Sequence, residues 1–213
     1  MHSSDYSRRA FLAIAGAGAV VLGGCAVTQQ EQIRAFLLKS ALNGGHQPGS
    51  HPALPTTANE FANAAQDAVE AGAGAIHIHV RDSKENESLR SEDIATVLAT
   101  VRATIPSTPI GISTHFGIVG DAEQRQEIVS MWSAFPDFAS VNFNEPGAVT
   151  LARLVIENGV GVEAGLFNAD AAVTCVESGL ANDCLRLMME PRNRNLENAL
   201  SNVAEMEAVL NAA

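Results

Sequence analysis

Positive charge is scarce in this chain. Thirteen Lys and Arg stand against 24 Asp and Glu, a formal net charge of −11. Nucleic-acid phosphates are gripped by clustered Lys and Arg, so this balance argues against a nucleic-acid partner. Cysteine is scarce too: Cys25, Cys175 and Cys184 lack the close spacing of a thiolate zinc site. Cys175 falls in a helical pattern and Cys184 in a strand pattern, and both read as small buried hydrophobes. The apolar stretch from Ala10 to Gly23 is too short to span a bilayer comfortably. Finally, no Gly-x-Gly-x-x-Gly or Walker-type loop follows the first strand pattern, which removes the best signal for a nucleotide-binding open sheet. What remains is globular. The 213 residues, 46% of them hydrophobic, suffice for one domain with a sizeable core.

The N-terminus reads as an address. Ser7-Arg8-Arg9-Ala10-Phe11-Leu12 matches a twin-arginine export signal, and the Gly- and Ala-rich stretch behind it suits a signal core. Leu22-Gly23-Gly24-Cys25 then resembles a lipobox, in which Cys25 would be lipidated. Residues 1–25 are therefore expected to direct export and membrane anchoring on the periplasmic side. Residues 26–35 read as a polar tether and residues 36–213 as the folded domain.

From residue 36 short apolar runs alternate with longer amphipathic ones. Strands are expected at Phe36–Leu42, Ala75–Val80, Pro109–Ser113, Phe138–Phe143, Val160–Gly165 and Cys184–Glu190. Helices are expected from Thr57 to Gly72, Ser91 to before Pro106, Asp121 to Phe135, Ala148 to Asn158, Asp170 to Gly179 and Leu196 to Ala212. The first opens on Thr57-Ala58-Asn59-Glu60, a capping box. Strict β/α alternation, at about 25 to 35 residues per unit, means a parallel sheet with crossover helices. An open doubly wound sheet and a (β/α) TIM-type barrel both fit, and six of a barrel's eight units are present.

Side chains alternate along a strand. In the second strand Ala75, His77, His79 and Arg81 share one face, and Ile76, Ile78 and Val80 the other. The aliphatic face suits packing under helices, which leaves the imidazoles pointing into the barrel. Two imidazoles at i and i+2 make a ready metal-ligand pair, zinc above all. Apart from His2, every histidine (46, 51, 77, 79 and 115) falls at or after one of the first three strands. Hydrogen-bonded core histidines are the competing reading. Glu163, on one face of the fifth strand with Gly161 and Gly165, is a candidate third ligand, because a carboxylate in so apolar a strand needs a partner. An ion pair with Arg186 would also satisfy it. Asn142 with Asn144, and Ser113, Thr114 and His115, end strands within reach of the same mouth. Glu145 and Glu190 read more as solvated or capping groups.

These residues resemble the β-keto acid cleavage enzyme family, which includes the 3-keto-5-aminohexanoate cleavage enzyme. The matching pieces are Leu42-Asn43-Gly44, His51-Pro52-Ala53-Leu54-Pro55-Thr56, the run from Ala71 to Asp82 with His77-Ile78-His79-Val80-Arg81-Asp82, Gly111-Ile112-Ser113-Thr114, Pro136 to Phe143, and Gly161-Val162-Glu163-Ala164-Gly165-Leu166. The resemblance implies a zinc-dependent barrel in which a β-keto acid and acetyl-CoA give acetoacetate and a new acyl-CoA. It implies His77 and His79 as zinc ligands, substrate contacts from Ser113, Thr114 and Asn142, and Glu163 as an acid–base group.

Two departures stand out. Family members continue into a seventh and an eighth strand, where an Arg-x-Gly-Leu-Glu-Asp segment supplies the third ligand and a catalytic Arg and Asp. This chain ends at Ala213 without it, so the barrel is expected to be C-terminally incomplete, or Glu163 or His115 completes the site. The family also works in the cytoplasm, where CoA is found, whereas the signal points outside. A zinc hydrolase and a non-catalytic or degenerate metal- or ligand-binding lipoprotein are therefore the competing functions. The open barrel's two free edges also predict a homo-oligomer.

Overall fold

The computed structural model describes residues 37–213. The expected signal, its Cys25 anchor and the whole of the tether lie outside the described residues. Six strands alternate with six helices: β1 (Lys39–Ala41), α1 (Ala58–Glu70), β2 (Ala75–Ile78), α2 (Ser91–Thr104), β3 (Ile110–Ser113), α3 (Ala122–Ser130), β4 (Phe138–Asn142), α4 (Ala148–Glu157), β5 (Gly161–Leu166), α5 (Ala169–Glu177), β6 (Arg186–Met189) and α6 (Leu196–Asn211). The strands form one parallel sheet in sequence order.

The sheet is curled into a partial barrel. In a flat sheet four inter-strand steps would put β1 and β5 about 19 Å apart. Instead, Lys39 Nζ on β1 lies 2.6 Å from Glu163 Oε2 on β5. The outer edges of β1 and β6 pair with no strand among the described residues. This is a partial (β/α) TIM-type barrel with six units, one of the two architectures that the alternation allows.

The outer face of the sheet carries Ile76, Ile78, Ile110, Ile112, Val141, Val162 and Leu166, all within 1% of complete burial under the helices. Fully burying one such side chain contributes about 1.5–3 kcal/mol, so this layer holds the domain together. The inner face is polar, and His77, Ser113, Asn142, Glu163 and Arg186 all stand on it. Thr57 caps α1, and its hydroxyl and the Glu60 carboxylate bond each other's backbone N–H as the capping box predicts.

Strand ends lie within three residues of expectation. The third helix is the largest miss: it stops at Ser130 instead of Phe135. Beyond it Trp132 turns inward, 5% exposed, and its Nε1–H donates to Leu89 O at 2.8 Å. Cys175 and Cys184 are buried, reduced thiols as expected, although Cys184 sits in the turn before β6.

Candidate active site

His77 and the residue that follows β2 at i+2, His79, meet at the carboxyl end of the sheet. Their ring centroids are 5.4 Å apart with planes at 75°. His77 is buried and its Nδ1 has no hydrogen-bond partner. Burial, then the neighbouring His79 and Lys39, push its pKa down to about 3, so the ring is neutral and keeps its lone pair. His79 is held from three directions. Its N–H donates to Asn43 Oδ1 at 2.9 Å, its carbonyl accepts from Asn43 Nδ2 at 2.8 Å, and Nδ1 pairs with Glu87 Oε1. Burial pulls the Glu87 carboxyl upward, but the His79 bond and the charges of His79, Arg81 and His115 outweigh it and hold it below the usual range. Arg81 ties the surrounding loops, donating to Glu85 O at 2.8 Å and His46 O at 2.5 Å.

A zinc ion fits this pair of donors. Two imidazoles bound to one tetrahedral ion at about 2 Å have centroids about 5 Å apart, close to the spacing here. His77 offers a buried, unspent nitrogen. Glu87 occupies one nitrogen of His79 in the manner of an outer-shell carboxylate and leaves Nε2 for a metal. No third His, Cys, Asp or Glu joins them in a metal-binding group among the described residues. Both candidate third ligands are engaged elsewhere. His115 Nδ1 accepts from Gly117 N at 3.2 Å, and its Nε2 faces Glu145 at 3.6 Å.

Glu163 is fully buried between two cations from the two edge strands. Lys39 Nζ donates to Oε2 at 2.6 Å. Arg186 Nε lies 3.2 Å from Oε1, an ion-pair contact without hydrogen-bond geometry. Both cations also stand over the Phe138 ring, at 5.8 and 5.5 Å. The Arg186 partnership is legible from the sequence. Lys39 is not, because it sits in a run that reads as simply apolar, although its alternation with Ser40 already turns it inward.

Ser113 and Asn142 face the barrel interior beside these groups. Ser113 Oγ accepts from His115 N at 3.3 Å, so its own proton is unspent. Thr114 is buried, but its hydroxyl donates to Ser140 O at 2.7 Å and fastens β3 to β4. Asn142 Nδ2 donates to Glu145 Oε1 at 2.7 Å. Glu145 is neither solvated nor a simple cap. Its side chain is 7% exposed and takes Arg125 Nη1 at 2.6 Å, Phe116 N at 2.9 Å and the Asn142 amide. Arg125, from α3, is completely buried and also donates to Thr114 O and Pro146 O. An arginine in a short helix rich in Glu and Gln carries no signal that would have singled it out.

The comparisons point one way. The model of the family described as beta-keto acid cleavage enzyme matches residues 36–209. A 3-oxoadipate:acetyl-CoA acetyltransferase from Cupriavidus necator is 34% identical over 108 residues, 51% of this chain and 36% of that protein. A 3-keto-5-aminohexanoate cleavage enzyme from Fusobacterium nucleatum is 29% identical over 145 residues, 62% of this chain and 53% of that protein. The chain thus spans between a third and just over half of these relatives' length. Among solved structures, a mandelate racemase/muconate lactonizing enzyme from Roseiflexus sp. superposes with a TM-score of 0.50 at 14% identity. The match covers 83% of this chain and 45% of that one, a likeness of fold alone.

Proposed function

The chain belongs to the beta-keto acid cleavage enzyme family, and on that premise we propose that it converts a β-keto acid and acetyl-CoA into acetoacetate and a new acyl-CoA, using zinc on His77 and His79. The observation that carries this reading is the imidazole pair: two rings on one side of the β2 line, one neutral with an unspent buried nitrogen, the other oriented by Glu87. When bound, the ion would act as a Lewis acid toward the ketone oxygen of the keto acid. The chain's own groups divide the remaining work. Asn43 and Glu87 hold His79 in place. Ser113 keeps a hydroxyl proton to donate to a substrate oxygen. Asn142 contacts the substrate from β4, and Thr114 keeps that strand against β3. Glu163 is the acid–base group, with Lys39 as the partner across which a proton would be shared.

Export and a lipid anchor at Cys25 are proposed from the N-terminal motifs, and self-association from the unpaired edges of β1 and β6.

Zinc content of the purified chain, beside a His77→Ala/His79→Ala variant, tests the reading. The expected result is about one zinc per chain, lost in the variant, with keto-acid turnover only when acetyl-CoA is present. A folded protein without metal in either form would sink the zinc assignment. Zinc without turnover would make this a metal- or ligand-binding protein. Ester or amide cleavage without acetyl-CoA would make it a hydrolase.

A further inference from the structure

The Arg125–Glu145 pair does more than join two loops. An ionised carboxylate offers only acceptors. Glu145 Oε2 takes Arg125 Nη1 and Phe116 N–H, at 2.6 and 2.9 Å. Oε1 takes the amide NH2 of Asn142 at 2.7 Å. That last bond fixes which way the Asn142 amide faces. With the NH2 committed to Glu145, the amide oxygen Oδ1 points away from it and over Gly165. A Cβ added at Gly165 would meet Oδ1 at 2.3 Å, so the glycine is what makes room for that oxygen. Gly165 lies on the inner face of β5, and no protein donor meets Oδ1 among the described residues. An acceptor therefore stands inside the barrel at the end of β4.

We propose that Glu145, braced by Arg125, is a positioning residue that sets the hydrogen-bonding polarity of Asn142, so that this station accepts a substrate donor (a hydroxyl, an ammonium or an amide N–H) and not a ketone or carboxylate oxygen. The inference rests on the reading of the inner face as the substrate site. It also has a structural consequence that does not. In Glu145→Gln, the single remaining oxygen belongs where two donors, Arg125 and Phe116 N–H, converge. The new NH2 then faces Asn142, where two NH2 groups would oppose each other. The Asn142 amide turns over to accept, and presents NH2 to the interior.

The side-chain amide resonances of Asn142 test this in the 15N-labelled full chain, assigned by their loss in Asn142→Ala. Glu145→Gln is expected to shift both protons, as the bond to a carboxylate is replaced; unchanged resonances would overturn the proposal. Should Glu145→Gln not fold, Gly165→Ala pushes on Oδ1 directly and must move the same resonances. Kinetics supply the second arm. For a keto acid bearing a hydroxyl or amino donor, Glu145→Gln and Asn142→Ala are each expected to raise KM about tenfold. The double variant adds nothing further, and KM for a keto acid without a donor rises less than KM for one that carries a donor. Equal losses for both substrates, or additive losses in the double variant, would overturn it. Should the native chain turn over no keto acid, the reaction assignment fails while the amide resonances still decide the positioning of Asn142.

Discussion

The two halves of the barrel mouth are built on opposite principles. Around β1 and β2, the ties are a buried amide and two part-exposed carboxylates: Asn43 on the His79 backbone, Glu87 on its ring, Glu60 on Thr56 and Thr57. Around β3 and β4, a fully buried guanidinium and an almost fully buried carboxylate hold four backbone or side-chain partners. The first half leaves a ring nitrogen of His77 unspent, as a ligand site requires. The second fixes the direction of an amide, as a recognition site requires. On the proposed reading, ligand binding and rigidity come from different loops of one sheet.

The two halves differ most at Arg125. Arg125→Ala leaves Glu145 buried without its counter-charge, and removing one partner of such a pair costs about 3–5 kcal/mol. Urea denaturation should read that loss. A loss below about 1 kcal/mol would mean that water replaces the guanidinium, and the second half would then be no more rigid than the first. Zinc content should fall only as far as folding does, because Arg125 does not touch His77 or His79.

Asn43→Ala is the matching test on the other side. Asn43 is 2% exposed, and its loss leaves the His79 N–H and carbonyl without their partners. His79 is half-buried, so water takes over part of these two bonds, and the loss should stay within about 1–3 kcal/mol, smaller than at Arg125. Its distinguishing effect is on metal: loosening the backbone of a ligand should weaken zinc binding by about 10–100-fold, read by competition with a chelator. Unchanged zinc affinity would separate Asn43 from the ligand site.

The two halves were also unequally legible in the sequence. Strand periodicity and the placement of the histidines expose the first half: His77 and His79 alternate with isoleucines, so one glance at the period gives the face. Glu163 is legible for the same reason, as a carboxylate in an apolar strand. The Arg125–Glu145 pair is not. Its members stand 20 residues apart, one in a polar helix and one beside Pro146 and Gly147, each in a context that looks like surface. They meet only where α3 packs beside the loop that follows β4, next to Phe116. The early end of α3 is hidden likewise, since Trp132 fits a helical period and its bond to Leu89 O, 43 residues away, leaves no local signal.

The smallest effect lies at the base of the first half, at Glu60. Backbone N–H groups of Thr56 and Thr57, then the Thr57 hydroxyl, hold its carboxyl below the ordinary value of 4.5, against a slight opposing push from burial. A carboxylate with a lowered folded-state pKa contributes stability that is fully present above its ordinary pKa. That stability is lost as pH falls through the folded value. Glu60→Gln keeps an oxygen for the capping box but removes the charge beside the N-terminus of α1. At pH 7 the variant should therefore be less stable by under about 1 kcal/mol, because the group is open to solvent. Below the carboxylate range the two proteins should melt together, because the native Glu60 is then also uncharged. Melting curves from pH 7 down to about 3 read this convergence. A gap that stayed constant over the whole range would mean that Glu60 acts through its shape alone.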